Sequence, residues 1–160
     1  MAETRAAGTI GMAGVEGAVC PALRYRDAGA AIDWLCRVVG FTRHLVVPDG
    51  EGGIAHAQLV LGGGMVMLGS DREDRYVGFR APGPEGGGVA CTCLLIHDVD
   101  ALHARVTAEG ATALEGGVID TDYGSRCFTV RDPEGHLWHF GTYDPWQAAA
   151  DPGGTSPGSS

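Results

Sequence analysis

The chain has 160 residues, 44% of them hydrophobic, which suits one domain or two small halves sharing a core. Its formal net charge is -9, which argues against nucleic acid or an anionic membrane as a partner, because binding phosphate needs clustered Lys and Arg. The five cysteines contain no CxxC pair, the N-terminus lacks the basic start and apolar core of a secretory signal, and the apolar runs are too short for a bilayer. A cytoplasmic protein with reduced thiols is expected.

Residues 1 to 17 are small and Gly/Ala-rich and are expected to be mobile. VCPALRYR, 19 to 26, predicts a strand that reaches a helix N-cap at Asp27. Ile32, Leu35, Cys36 and Val39 recur at helical spacing, and Gly40 stands where a helix stops. Strands are then predicted over 41 to 48, 53 to 61 and 65 to 70, separated by PDGEGG and GGG turns. The polar, Gly/Pro-rich stretch 71 to 88 reads as a linker. After it the order repeats. VACTCLLI, 89 to 96, is a strand, and Asp98 is a cap. Val99, Leu102 and Val106 share a helical face closed by Gly110, and strands follow over 112 to 119, 125 to 131 and 136 to 142. Residues 147 to 160 form a low-complexity tail.

The ordered chain, 18 to 146, therefore divides into two strand-helix-strand-strand-strand modules, 18 to 70 and 89 to 146. The class is α+β. Each helix covers one face of its own curled mixed sheet, and the two remaining faces are expected to enclose a shared cleft.

With that repeat in place, CPALRYRDAGAAIDWLCRVVGF, HAQLVLGGGMVMLGS and YGSRCFTVRDPEGHLWHFGTY resemble the vicinal oxygen chelate superfamily. That is the glyoxalase, bleomycin-resistance and extradiol-dioxygenase family, and the small bacterial glyoxalase-like, bleomycin-resistance-like branch is the most similar. The resemblance implies paired βαβββ modules, frequent homodimers and a ligand in the cavity. In metal-using members it implies His or Glu ligands on the first and last strand of each module. Those positions fall here on Cys20, Leu68, Cys91 and His139, with Leu68 taken as the residue four beyond Gly64, as His139 is four beyond Gly135. Leucine cannot ligate a metal, and the hard oxygen donors suited to magnesium, manganese or iron are missing. The expectation is a site without cofactor, in which Cys20 and Cys91 are small buried hydrophobes. The alternative is one divalent metal, zinc or iron, on Cys20, Cys91 and His139.

Strand parity orders the remaining candidates. Trp138 and Phe140 suit packing under the helix, which turns His139 to the cleft. If Leu59 packs likewise, His56 and Gln58 face the cleft too, and either bind a ligand or satisfy neighbouring groups. A proton-exchanging His56/His139 pair is a lesser reading. Cys93 and Cys127 are expected to face inward as inert thiols. Tyr76 and Phe79 in the linker, with Tyr123, are loop aromatics placed to stack on a flat ligand or to anchor the linker. Arg24 and Arg131 at strand ends suit a rim salt bridge or a carboxylate clamp. Trp34 suits a dimer contact or a covered sheet edge. His44, His97, His103 and His136 read as surface or strand-end residues. No P-loop, dinucleotide fingerprint, nucleophile elbow or HExxH occurs. The expected function is metal-free binding of a small molecule, with sequestration of a toxic aromatic or cationic natural product as its concrete form. The alternative is a metal-dependent lyase, isomerase or dioxygenase.

Overall fold

A computed structural model describes residues 17–76, 78–83, 90–114 and 116–146. The termini expected to be mobile lie outside the described residues, Gly17 apart, as do 77 and 84–88 of the linker and residues 89 and 115 of two expected strands.

The first module opens with β1 (Ala22–Tyr25) and α1 (Ala28–Trp34). The predicted cap is in place: the Asp27 carboxylate accepts the Ala30 N–H at 2.9 Å. The helix then widens into a π-helical turn, Leu35–Val39, in which the Leu35 carbonyl takes the N–H groups of both Gly40 and Phe41. Gly40 ends it at φ 108°, a backbone region that favours glycine. Strands β2 (Thr42–Pro48), β3 (Ile54–Leu61) and β4 (Gly64–Ser70) follow, and the sheet order is β1-β4-β3-β2, with β1 parallel to β4.

The second module repeats this plan with β5 (Cys91–Leu95) and α2 (Val99–Ala108), capped by Asp98 on the Ala101 N–H at 3.0 Å. The single strand expected over 112 to 119 is instead two short ones, β6 (Thr112–Ala113) and β7 (Ile119–Asp120). Gly116 and Gly117, at φ 85° and 59°, break the extended run between them. Strands β8 (Arg126–Arg131) and β9 (Leu137–Gly141) complete a sheet ordered β5-β9-β8-β6, with β7 also pairing with β8.

One core serves both modules. Ile32, Leu35, Val38, Leu59, Val66 and Leu68 from the first join Leu102, Val106, Phe128, Val130, Trp138 and Phe140 from the second. Phe41 meets Trp138 edge-on with ring centroids 6.1 Å apart, and the Trp34 indole donates to the Glu109 carbonyl at 2.7 Å. Trp34 is thus a buried bridge between modules and not an exposed contact. The paired modules are those expected, but within one chain their two remaining faces do not meet. The helix-bearing faces turn toward each other, because each short helix covers only part of its own sheet and the large rings need the other module's cover. The helix-free faces stay open, with Leu45, Val47, Cys91, Cys93 and Leu95 exposed. Among the described residues no helix is long and apolar enough to cross a membrane.

Candidate functional site

The Asp132–Gly135 turn, the most motif-like stretch of the sequence, is a clamp between modules. Asp132 is 4% exposed. One of its oxygens accepts the Tyr25 hydroxyl at 2.6 Å and the Trp138 indole N–H at 3.0 Å. The other accepts the backbone N–H groups of Glu134 and His136, each at 3.0 Å. Four donors therefore surround one buried carboxylate, which is how such a charge becomes tolerable. Burial, with the Asp132 charge adding to it, holds the Tyr25 phenol well above its ordinary pKa. The Glu134 carboxylate takes the N–H groups of Arg26 and Asp27 at 2.6 and 2.8 Å, and the His136 ring donates from Nε2 to the Arg24 carbonyl at 2.7 Å. His136 is a strand-end residue, as expected, but it is also a tie across modules. His103 is not a surface residue: it is half-buried against the Phe128 ring, with its Nε2 lacking a hydrogen-bond partner.

A cavity of about 400 Å³ lies on the open face of the first sheet, beneath the segment that follows β4. Ala22, Met67 and Gly69 line its floor, His56 one side, and Arg24, Arg72, Tyr76 and Phe79 the other. Parity places these groups. Ala57 and Leu59 are fully buried in the core, so His56 and Gln58 point the other way, where their side chains hydrogen-bond each other at 3.2 Å. Leu68 must be corrected. Its backbone runs along the cavity floor, but its side chain is 3% exposed and packed in the core. The hairpin at Gly62–Gly63 is shorter than the turn at Asp132–Gly135, so counting from the glycine slips by one residue and reverses the face. Met65, Met67 and Gly69 occupy the open face instead. Arg24 is no rim residue either. It is 4% exposed, donates to the Ser70 carbonyl at 3.1 Å and pairs with Asp74 at 2.6 Å.

On the second sheet, Trp138 and Phe140 are fully buried, and His139 points to the open face with Cys93 beside it. Its Nδ1 meets the Thr129 hydroxyl at 2.9 Å. Cys91 and Cys93 are exposed on that face, whereas Cys127 is buried against Gly141. Surrounding protein pushes the Cys91 thiol up to about 11, and the Cys93 sulfur, within hydrogen-bonding reach, adds to this. Tyr123 lies apart from the cavity, exposed and edge-on to Tyr143. Of the predicted ligand set, then, the structure gathers His56, Tyr76 and Phe79 at one cavity with Gln58 behind His56. It puts Cys91, Cys93, Cys127 and His139 on another sheet, so His56 and His139 do not face each other within one chain. Met67, Gly69 and Arg72 escaped the sequence reading. The strand alternation signalled the first two, and nothing in the linker singled out Arg72.

The glyoxalase/bleomycin resistance protein/dioxygenase superfamily model matches residues 18–140. The chain belongs to that superfamily. An uncharacterised Mycobacterium bovis protein is 34% identical to it over 128 residues, covering 79% of this chain and 84% of that one. The solved structure of TioX from Micromonospora sp. ML1 is 38% identical, covers 78% of this chain and 96% of its own, and superposes with a TM-score of 0.59. At 12% identity the fosfomycin resistance protein FosX of Listeria monocytogenes, solved with Mn(II) and sulfate, shares the fold alone, with a TM-score of 0.60 over 82% of this chain and 95% of its own.

The metal that some superfamily members carry does not fit these side chains. Among the described residues no three His, Cys, Asp or Glu groups converge to hold an ion, so Cys20, Cys91 and His139 are not a ready-made site within the chain. At the position expected of Leu68, the open face offers Met67 and Gly69, neither an oxygen donor.

Proposed function

We propose that this superfamily member is a metal-free small-molecule-binding protein that sequesters an aromatic organic compound. The cavity under the 71–81 strap carries the reading: it has an apolar floor, two aromatic side chains from the strap, and a few fixed polar groups. The strap is tied down rather than loose. Arg80 makes paired bonds of 2.8 and 2.9 Å to Asp71, and Arg26 donates to the Pro82 carbonyl. Tyr76 and Phe79 are thereby held over the cavity, where a flat ligand would stack.

The working unit of this proposal is a homodimer. Leu45 and Val47 pair with Gln58 and His56 across β2 and β3, so an exposed apolar stripe continues the cavity face. Leu95 with Cys91 and Cys93 makes a second open patch on the other sheet. A second copy laying one patch on the other would bury both and close the cavity.

The test is isothermal titration of the purified chain, with chelator present, against a panel of polycyclic aromatic compounds. Saturable one-to-one binding that weakens in Phe79→Ala supports sequestration. Turnover of a bound compound that depends on added metal would replace this reading with an enzymatic one.

A further inference from the structure

The cavity's charge is opposite in sign to that of the protein. The chain carries -9 overall, yet Arg24, Arg72 and His56 line the cavity and no carboxylate is among its described lining residues. Both arginines lean on a single acid: Arg24 Nη2 and Arg72 Nε donate to the same oxygen of Asp74, at 2.6 and 3.2 Å. Asp71 is hydrogen-bonded by Arg80 and Asp49 by the backbone N–H groups of Glu51 and Gly53, so Arg24 and Arg72 act on these two carboxylates only through space. The described lining itself therefore carries two guanidinium groups and no acid.

A second observation points the same way. Arg24 is 4% exposed, and its Nε–H has no hydrogen-bond acceptor. Burying such a donor unpaired is unfavourable, and proteins rarely do it without cause. The Phe79 ring covers the group, with its centroid 4.9 Å from Arg24 Cζ, so only a ring contact stands where an acceptor would be expected. The backbone has been shaped around this guanidinium. A Cβ on Gly69 would lie 3.5 Å from Arg24 Nη1 and 3.0 Å from the Ala55 carbonyl, so no larger residue fits there without displacement.

We infer that the cavity takes a monoanionic aromatic molecule, an arene carboxylate or a close analogue, whose acid group bridges Arg24 and Arg72. The acid supplies the acceptor that Arg24 Nε lacks. The flat body lies on Met67 and the apolar floor, and the Phe79 ring moves from the guanidinium to the ligand's face. The acidic surface then acts as a filter, because an anion is held only if it also satisfies the buried donor. This inference rests on the small-molecule-binding reading above and narrows it.

The experiment compares naphthalene carboxylate, the matching carboxamide and the matching methylamine by titration calorimetry on the full chain. The carboxylate is expected to bind about tenfold more tightly than the carboxamide, the discrimination of a charge-assisted hydrogen bond. That preference should disappear in Arg72→Gln, whose exposed position spares the fold, so that carboxylate and carboxamide bind alike. Arg24→Lys, checked for folding by circular dichroism, should lose it too. Equal binding of the three compounds, or a preference for the amine, overturns the anion assignment and leaves small-molecule binding standing. If none of the three binds, both the anion assignment and the aromatic-binding reading fall.

Discussion

Asp132 shows what a single residue contributes here. The sequence announces the DPEG turn, but the fact that its aspartate serves Tyr25, which lies more than a hundred positions earlier, is set by how the two modules dock. Replacing Asp132 with Ala leaves the Tyr25 hydroxyl and the Trp138 indole N–H buried without an acceptor. We expect a loss of about 3 kcal/mol, read as a lowered urea midpoint, since each orphaned donor costs on the order of 1–3 kcal/mol. A loss within experimental error would mean that water replaces the carboxylate and that the clamp is incidental. Leu68 carries the complementary lesson. Counting from a glycine cannot detect a change in turn length, and in a strand one residue decides between core and open face. Cys91 offers a chemical check on the second sheet. Its thiol is raised to about 11, so the rate of iodoacetamide labelling at Cys91, followed by mass spectrometry, should climb through pH 8, 9 and 10 by about tenfold per unit without levelling off. A plateau near pH 8.5, the ordinary thiol value, would show that the sulfur is solvated like a free cysteine's.

At the scale of elements, both helices were legible because their caps and stops are local chemistry. Asp27 and Asp98 reach N–H groups three residues on, and Gly40 and Gly110 take positive φ. The stretch 112 to 119 was not legible as two strands. Its apolar residues suggest continuity, and the break depends on two consecutive glycines adopting left-handed conformations. The strap was legible only as a linker, because ion pairs to distant strands leave no periodic pattern. Those pairs make a titration prediction. The Arg80 hydrogen bond holds the Asp71 carboxyl below the usual range, and the Tyr76 N–H, followed by Arg24, does the same for Asp74. Because both values are depressed in the folded state, the tie is complete above the unfolded value of about 3.9 and is lost as pH falls through the folded ones. Carbon-detected NMR should therefore find both side chains titrating below about 3.9. Values at or above that would mean the strap is not held by these pairs. Gly69→Ala tests the strand beneath. The added methyl meets the Ala55 and Ile54 carbonyls at 3.0 and 3.3 Å, so we expect about 1–3 kcal/mol of destabilisation by denaturant melt. No change would show that β4 can shift.

At the scale of the molecule, the repeated module pattern made the fold class readable, while the direction in which the modules face each other was not. Two amphipathic sheets with a helix apiece can bury either pair of faces, and binary pattern alone does not choose between them. The structure chooses the helix-bearing pair, through Trp34, Phe41 and Trp138, and the choice leaves apolar side chains in water. Leu95 is 52% exposed and Leu45 42%. Single exposed leucines are ordinary, but these two lie in patches that continue the open faces of the two sheets. If a second copy covers them, light scattering after size-exclusion chromatography should give twice the chain's 16.5 kDa. Leu95→Arg should return the protein to a monomer with little change in its far-ultraviolet circular dichroism, because the side chain plays no part in the shared core. The same variant should weaken binding in the cavity if the partner closes it, and leave binding untouched if the strap alone does. A wild-type protein that is monomeric at tens of micromolar would remove the dimer from the proposal and leave the cavity as the property of a single chain.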